Sequence, residues 1–191
     1  MFLLRRPSPS FIRAFLEGQA KLTFTYSAVG ATAGTPPLGY VVDHTRIQIG
    51  SGPAVFAAAK NALQRWEQFR LGWVAPCWPD TAIEQEQVVG VLARTCCLWC
   101  LNACRIVYVV DEPRTFGYAY GTLPGHVESG EKRFTVEWHE DDTVWYDILA
   151  FSRPNHFLAR LGYPIVRRLQ KRFARDSAAS MQRAAGSGDP S

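Results

Sequence analysis

The chain has 191 residues, long enough for one domain with a substantial core, and its 47% hydrophobic and 20% charged residues are ordinary for a globular protein. No stretch reaches the roughly 18 apolar residues of a membrane span, and the N-terminus MFLLRRPSPSF lacks the apolar run of a signal peptide. We therefore expect a cytoplasmic protein without a transmembrane segment.

The first half of the chain predicts two helices separated by a strand. An N-terminal extension, about residues 1–25, contains a short helix in SPSFIRAFLEGQAKL, for which Ser8 or Ser10 is the candidate cap. A loop rich in Gly, Pro and Thr follows, and YVVDHTRIQIG then alternates as a strand with one solvated face. The segment GSGPAVFAAAKNALQRWEQF predicts the second helix, because Val55, Ala59 and Leu63 form an apolar stripe.

The second half predicts a run of strands and a long terminal helix. The runs VVGVLART, ACRIVYVVDE, RTFGYAYGTL, KRFTVEWHE and DTVWYDILAFS are separated by short turns, which makes neighbouring strands antiparallel. A helix follows Pro154 and reaches about Arg183, interrupted by Pro164, with residues 184–191 as a flexible tail. The order predicts a single α+β domain over residues 1–183, in which a curved antiparallel sheet grips this helix through Ile165, Leu169 and Phe173.

A cysteine-rich run, CCLWCLNAC, raises the question of a metal or redox site. Cys97 and Cys100 have the spacing of zinc ligands or of a redox pair, and Cys96 and Cys104 lie close by. All four fall within nine residues that run into a strand, whereas a metal site usually draws its second pair from a distant segment. We favour small buried hydrophobic side chains, and expect neither a metal nor a cofactor.

Arg105 follows this run and has two open interpretations. Alternation places Cys104, Ile106, Tyr108 and Val110 on one face of the strand, and Arg105 on the other. If the cysteine face is the outer one, Arg105 points to the concave side and is a candidate to bind an anionic head group. If the faces are reversed, it is a surface arginine.

The stretch from Gly117 to Phe134 contains the candidate catalytic groups. Tyr118 and Tyr120 share one strand face, while Gly117, Ala119 and Gly121 leave the other nearly bare, which allows close approach by a neighbour or a ligand. The turn Leu123-Pro124-Gly125-His126 fits type II geometry. His126, Glu128 and Glu131 are candidate acid–base groups; the alternative is that they only hydrogen-bond the loop to itself or to a helix end.

The terminal helix is strongly basic. From Arg153 to Arg183 there are 8 basic residues against one acid, and Arg167, Arg168, Lys171, Arg172 and Arg175 are expected on its outer side. No known nucleic-acid-binding motif accompanies them, so we do not expect nucleic acid as a partner. A solvated helix face is favoured, with an anionic surface as the alternative partner.

Four segments, LGWVAPCWP, LNACRIVYVVDEP, FGYAYGTLPGHVESGEKRF and LAFSRP, resemble the uncharacterised family called domain of unknown function 1990. The resemblance covers about Tyr26 to Arg175, and GTLPGH-x-E-x-GE is its most specific part. It implies the helix-grip fold of the START-like, birch-pollen-allergen-like superfamily. Most members of that superfamily bind apolar or amphipathic small molecules, and some are enzymes such as cyclases. Of the cysteines only Cys104 matches the family pattern, which weakens the metal hypothesis.

The aromatic content of 13% and the order of elements predict an apolar cavity between the sheet and the last helix. We expect a small apolar or amphipathic ligand there, bound by Arg105, Tyr118, Tyr120, His126 and Trp145. The alternative is an enzyme that acts on a small substrate in the cavity, with His126 and Glu128 or Glu131 as acid and base.

Overall fold

A curved antiparallel sheet and three helices make up the part of the chain that a computed structural model describes, namely residues 1–95, 98–155, 157 and 161–186. The strands run in the order β2-β8-β7-β6-β5-β4-β3, with β1 beside β5. In chain order the elements are β1 (Phe2–Leu3), α1 (Pro9–Gln19), β2 (Val41–Ser51), α2 (Gly52–Gln64), β3 (Val74–Pro76), β4 (Val88–Thr95), β5 (Leu98–Glu112), β6 (Thr115–Thr122), β7 (Glu128–Trp138), β8 (Thr143–Pro154) and α3 (Tyr163–Gly186).

This arrangement confirms the predicted fold class. The five predicted strands of the second half are β4 to β8, and each pairs antiparallel with the next along the chain. The predicted first strand is β2, which closes the order by pairing with β8, and α2 follows it directly. The short strands β1 and β3 were not predicted; β3 lies in LGWVAPCWPD, where we expected a loop.

Local chemistry explains where the first two helices begin. The Ser8 side chain accepts a hydrogen bond from the backbone N–H of Phe11 at 3.2 Å, so Ser8 is the N-cap of α1, followed by Pro9 in the first turn. Pro53 takes the same place in α2. That helix ends earlier than expected, because Trp66 has a left-handed backbone with φ of 61° and a short 3-10 turn follows it.

Both faces of the sheet are covered. On the concave face, aromatic side chains from the sheet and the helices interlock: the ring of Phe69 lies 5.5 Å from that of Phe134 and 5.3 Å from that of Phe173, between ring centroids. On the convex face, α1 buries Ile12 and Leu16 in a second, smaller cluster. Each such buried side chain contributes about 1.5–3 kcal/mol, so the N-terminal helix is an integral part of the domain.

The last helix covers less of the sheet than the sequence predicted. It begins at Tyr163 with Pro164 in its first turn, where proline is tolerated. Phe157 and Leu161 before it are also helical and Gly162 forms a turn, so the predicted interruption falls directly before Pro164. Ile165 is 62% exposed, and the buried face of α3 starts at Phe173 and continues through Ser177 and Met181. The predicted helix residues 156 and 158–160 lie outside the described residues, as do tail residues 187–191, while residues 184–186 are helical.

A β-bulge in β5 changes which side chains share a face. Ile106 pairs with Tyr120, but Tyr108 pairs with Ala119, so one extra residue on β5 reverses the alternation. Cys104 and Ile106 therefore lie in the concave core, while the Tyr108 hydroxyl is 2.9 Å from the hydroxyl of Thr32 at the convex face. The prediction that Cys104, Ile106, Tyr108 and Val110 share one face is wrong for Tyr108 and for Val110, which pairs with Gly117.

Gly121 marks the place where the N-terminal segment approaches the sheet most closely. A Cβ atom at this position would lie 2.1 Å from the Tyr26 hydroxyl and 2.9 Å from the Phe24 ring. The bare side that the sequence indicated is thus occupied by the protein's own chain. Only glycine permits this approach without a shift of both aromatic side chains.

We expect Gly121→Ala to lower the free energy of unfolding by about 1–3 kcal/mol, because the new methyl group overpacks the convex face. Urea denaturation measures the change. Gly18→Ala is the matched control: Gly18 lies in α1 with no heavy atom within 4 Å of its added Cβ, so stability should be unchanged or slightly raised. Equal effects of the two substitutions would contradict this account of the packing.

Candidate functional site

A pocket opens on the concave face between β6, β7 and the first half of α3. It has two adjoining chambers of about 160 Å³ and about 50 Å³. Both are bordered by the same six side chains, which are those of Tyr120, His126, Glu128, Lys132, Gln170 and Phe173. Polar and ionisable groups from one sheet, one loop and one helix therefore meet around a single small space.

Strand pairing places Tyr120 and Lys132 side by side in this pocket. The two residues are direct partners across β6 and β7, so both side chains point to the concave face. The Lys132 ammonium nitrogen lies 4.4 Å from the centroid of the Phe173 ring, a favourable cation–π contact. Among the described residues, no carboxylate comes within ion-pair distance of it, and burial lowers the pKa of Lys132.

A hydrogen-bonded network holds Glu128 at the other side of the pocket. The Gln170 amide donates to a carboxylate oxygen of Glu128 and, at 3.1 Å, to the hydroxyl of Ser152. Arg167 donates to Gln170 at 2.5 Å and binds both carboxylate oxygens of Asp43, at 2.5 and 2.6 Å. The network links β2, α3, β8 and the start of β7 across one edge of the pocket.

The carboxyl groups in this network differ in their electrostatic environment. The hydrogen bonds from Arg167 hold the pKa of Asp43 below its usual value. Burial raises the pKa of Glu128, and this effect exceeds the opposing influence of Lys132 and of the Gln170 hydrogen bond. Asp43 is therefore a fixed anion with a structural partner, whereas Glu128 is the carboxyl group able to exchange a proton in the pocket.

His126 is held as a neutral ring. Its backbone N–H donates to the carbonyl of Leu123 at 2.8 Å, and its Nδ1 accepts a hydrogen bond from the backbone N–H of Glu128 at 2.9 Å. A ring whose Nδ1 accepts carries its proton on Nε2. Burial lowers the pKa of His126 to about 3. The side chain therefore offers the pocket an N–H donor while its Nδ1 bonds within its own loop.

Glu131, the third candidate acid–base residue, lies on the opposite face. Its carboxylate accepts hydrogen bonds from the Tyr26 hydroxyl at 2.7 Å, from the Gly30 N–H at 2.7 Å, and from the N–H and hydroxyl of Thr32 at 2.9 and 2.5 Å. With every lone pair engaged, this buried carboxylate ties the N-terminal loop to the sheet. The structure does not bring Glu131 together with His126 and Glu128 as a catalytic group.

Of the other predicted ligand-binding residues, Arg105 and Trp145 also lie on the convex face. Arg105 pairs with Gly121 and donates to the carbonyls of Ala20 and Leu22, at 2.7 and 2.9 Å. The indole of Trp145 packs under the guanidinium of Arg46, at 5.2 Å. Neither side chain reaches the pocket. The face of β5 that carries Cys104 points inward and Arg105 points outward, which is the second of the two interpretations of Arg105.

Tyr118 does point to the concave side, but it is fully buried behind the pocket. Its hydroxyl accepts a hydrogen bond from the Gln68 amide at 2.6 Å, and its ring lies 5.2 Å from that of Trp66. It supports Tyr120 from within the core and does not line either chamber. Tyr120 alone of the two predicted tyrosines borders the pocket.

Sequence reasoning missed Lys132, Gln170 and Asp43. Lys132 had a usable signal: within KRFTVEWHE it shares its parity with Phe134 and Val136, so a lysine stands where an inward apolar residue is expected. Gln170 and Asp43 carried no such signal, because polar residues at those positions also fit a solvated face.

The cysteine cluster shows only buried thiols where it is described. Cys100 and Cys104 are buried and unpaired, and burial raises the pKa of both thiols. Cys96 and Cys97 lie outside the described residues. Across the residues that the structure does describe, no group of three or more His, Cys, Asp or Glu side chains is placed to hold a metal ion.

The basic side chains of α3 have more varied surroundings than the sequence suggested. Arg167 faces the sheet through Asp43, so its predicted place on the outer side is wrong. Arg172 and Arg175 both contact Asp176, and Arg172 also lies 4.5 Å above the ring of Trp73. Arg168 and Lys171 are exposed. None of the helices in the described ranges has the length and apolar character needed to cross a bilayer.

Comparison with known sequences shows one family over most of the chain. The family described as Domain of unknown function (DUF1990) matches residues 25–180. A UPF0548 protein of Dictyostelium discoideum is 35% identical over 98% of this chain and 97% of its own length. A UPF0548 protein of Arabidopsis thaliana, At2g17695, is 38% identical over 73% of this chain and 70% of its own length.

Comparison with solved structures shows the fold. The hypothetical protein jhp0584 from Helicobacter pylori superimposes with a TM-score of 0.53 at 9% identity, over 85% of this chain and 99% of that one. Human STARD10 gives a TM-score of 0.47 at 12% identity, over 95% of this chain and 80% of that one. At 9% identity the likeness to jhp0584 concerns the fold alone.

The pKa of His126 predicts how stability depends on pH. Folding lowers this pKa from 6.5 to about 3, so between these values the unfolded chain binds a proton that the folded chain does not. The free energy of unfolding should therefore rise with pH across this window and fall on acidification. We expect His126→Asn, whose amide oxygen replaces the Nδ1 acceptor, to flatten this dependence in urea titrations. A His126 resonance that titrates near pH 6.5 in the folded protein would contradict the assignment.

Proposed function

The chain belongs to the family described as Domain of unknown function (DUF1990), and we propose that it binds a compact amphipathic molecule in the pocket between the sheet and α3. The observation that carries this proposal is the division of the pocket into one polar and one apolar end. Such a division orients a ligand that has a polar head and a small apolar body.

The polar end offers both donors and an acceptor. Tyr120 supplies a hydroxyl, His126 an Nε2–H, and Lys132 an amine, while Glu128 supplies a carboxyl group. None of these groups except Glu128 makes a side-chain hydrogen bond across the pocket to another described residue. The free donors favour a ligand head that carries an oxygen acceptor, such as a carbonyl, carboxylate or hydroxyl group.

The apolar end is built by rings and aliphatic side chains from three regions. Phe69 and Trp73 come from the segment after α2, Val74 from the edge strand β3, Val91 from β4 beside it, and Leu169 from α3. Burial of the ligand body against these side chains supplies the favourable free energy, at about 25 cal/mol per Å² of apolar surface.

The volume of the pocket limits the size of the ligand. The larger chamber, about 160 Å³, is close to the roughly 150 Å³ of an apolar cavity that holds benzene. Pockets for drug-sized ligands are about 300–1,000 Å³. A single ring or a short chain therefore fits the larger chamber.

An enzymatic role is the second candidate, and the environment of Glu128 favours it. A carboxyl group with a raised pKa beside a lysine with a lowered pKa is an arrangement suited to proton transfer. His126 acts in such a site as a neutral hydrogen-bond donor, since its pKa of about 3 excludes the imidazolium form near neutral pH.

We expect Leu169→Trp to abolish binding of benzyl alcohol and benzoate, because the larger side chain fills the apolar end of the pocket. Saturation-transfer NMR with the purified protein detects the binding. Ile165→Trp is the matched control: it lies one turn earlier on α3, is 62% exposed and does not border the pocket, so it should bind like wild type. A wild-type protein that binds neither probe, or a Leu169→Trp variant that binds both unchanged, would contradict the proposal.

A further inference from the structure

Resting on the proposed binding pocket, we propose that the Lys132 amine reacts reversibly with the carbonyl carbon of a small aldehyde or ketone held there, forming an imine. The proposal names a ligand class for the site and gives Lys132 a covalent role in it. Its basis is the position of an unpaired lysine at the junction of the polar and apolar ends of the pocket.

The geometry around Lys132 suits a nucleophile better than a structural cation. Its nitrogen lies against the face of Phe173, and among the described residues it has neither a carboxylate partner within ion-pair distance nor a hydrogen bond. A buried ammonium without a counter-ion is costly, and the cost falls when the group is a neutral amine. The lowered pKa of Lys132 agrees with this geometry, since burial is its largest cause.

The ionisable groups around Lys132 come from every element that packs on it. Glu128 on the same strand and Asp43 on β2 favour the ammonium form, but Asp43 is already neutralised by Arg167 on α3. Cys104 on β5 and Tyr120 on β6 have pKa values raised by burial, and His126 is neutral. The uncompensated negative charge near Lys132 is therefore that of Glu128 alone, whose own pKa is raised by burial.

The bonds and protons of imine formation balance among Lys132, Glu128 and the bound carbonyl compound. The nitrogen lone pair forms a C–N bond to the carbonyl carbon as the carbonyl π pair moves to oxygen, which takes a proton from the Glu128 carboxyl group. The nitrogen gives up one proton, which returns Glu128 to its acid form. The hydroxyl of the carbinolamine then leaves as water with that proton while the nitrogen lone pair forms the C=N bond. The remaining N–H proton passes from the protonated imine to the Glu128 carboxylate, which restores the carboxyl group. Tyr120, opposite Lys132, is placed to hydrogen-bond the oxygen throughout.

The other lysines of the chain provide an internal comparison. Lys21 and Lys171 are exposed, and Lys60 forms an ion pair with Asp111. Lys21 and Lys171 therefore give the reference rate for a solvated amine in this chain. Each unit by which a pKa is lowered raises the amine fraction about tenfold.

The test is reductive trapping of the full-length protein with pentanal and sodium cyanoborohydride at pH 7, followed by intact mass measurement and peptide mapping. We expect Lys132 to be alkylated at least about tenfold faster than Lys21 or Lys171. Lys132→Met should lose the fast adduct, whereas Lys171→Arg should keep it. Glu128→Gln should slow trapping at Lys132 by about tenfold or more, since it removes the proton donor.

The outcomes separate this inference from the proposed function. If benzyl alcohol and benzoate bind, but Lys132 is trapped no faster than Lys171, the imine proposal is overturned and the binding function stands. If Lys132 is trapped selectively in wild type and the Leu169→Trp variant is trapped equally fast, the reaction does not depend on the pocket and the proposal is again overturned. Neither comparison needs the Lys132→Met variant, so both hold even if that variant does not fold.

Discussion

In β7, successive side chains point to opposite faces of the sheet, and this alternation separates two adjacent charged residues into two different roles. Glu131 points outward and binds the N-terminal loop through Tyr26, Gly30 and Thr32. Lys132 points inward and lies in the pocket opposite Tyr120. A slip of one residue in the register of β7 would exchange the two, leaving a carboxylate in the pocket and a lysine among four hydrogen-bond donors.

The two faces of the sheet therefore serve different purposes. The convex face is closed by the chain itself, since α1 and the loop after it fill the space beside Gly121 and Arg105. The concave face is closed by aromatic packing around Phe69 and Phe134, but it stays open toward the start of α3. The hydrogen bonds of Glu131 and Arg105 fix the N-terminal segment on the convex side, whereas no such segment closes the concave side at the pocket.

Most of the architecture was predictable from the sequence, because strand alternation, turn chemistry and helix periodicity are local properties. The fold class, the run of antiparallel strands and the terminal helix followed from these local properties, and GTLPGH-x-E-x-GE indicated the family. It was harder to predict on which face of the sheet each side chain lies. The bulge between Ile106 and Tyr108 is set by pairing with β6, and the partners that Glu131 and Arg105 bind on the convex face lie about 100 and 85 positions away in the chain. Pairings at such separations leave no local signal.

The sheet ends in two very different edges. On one side, β3 has three residues and finishes at Pro76, which lacks a backbone N–H and so offers little to an approaching strand. On the other side, β2 offers eleven residues, with Val41 and Val42 exposed at its start and Arg46 on its outward face. Any edge-to-edge association of this domain would therefore begin at β2, and because Arg46 is already paired with Glu137 at 2.8 Å, its charge does little to oppose it.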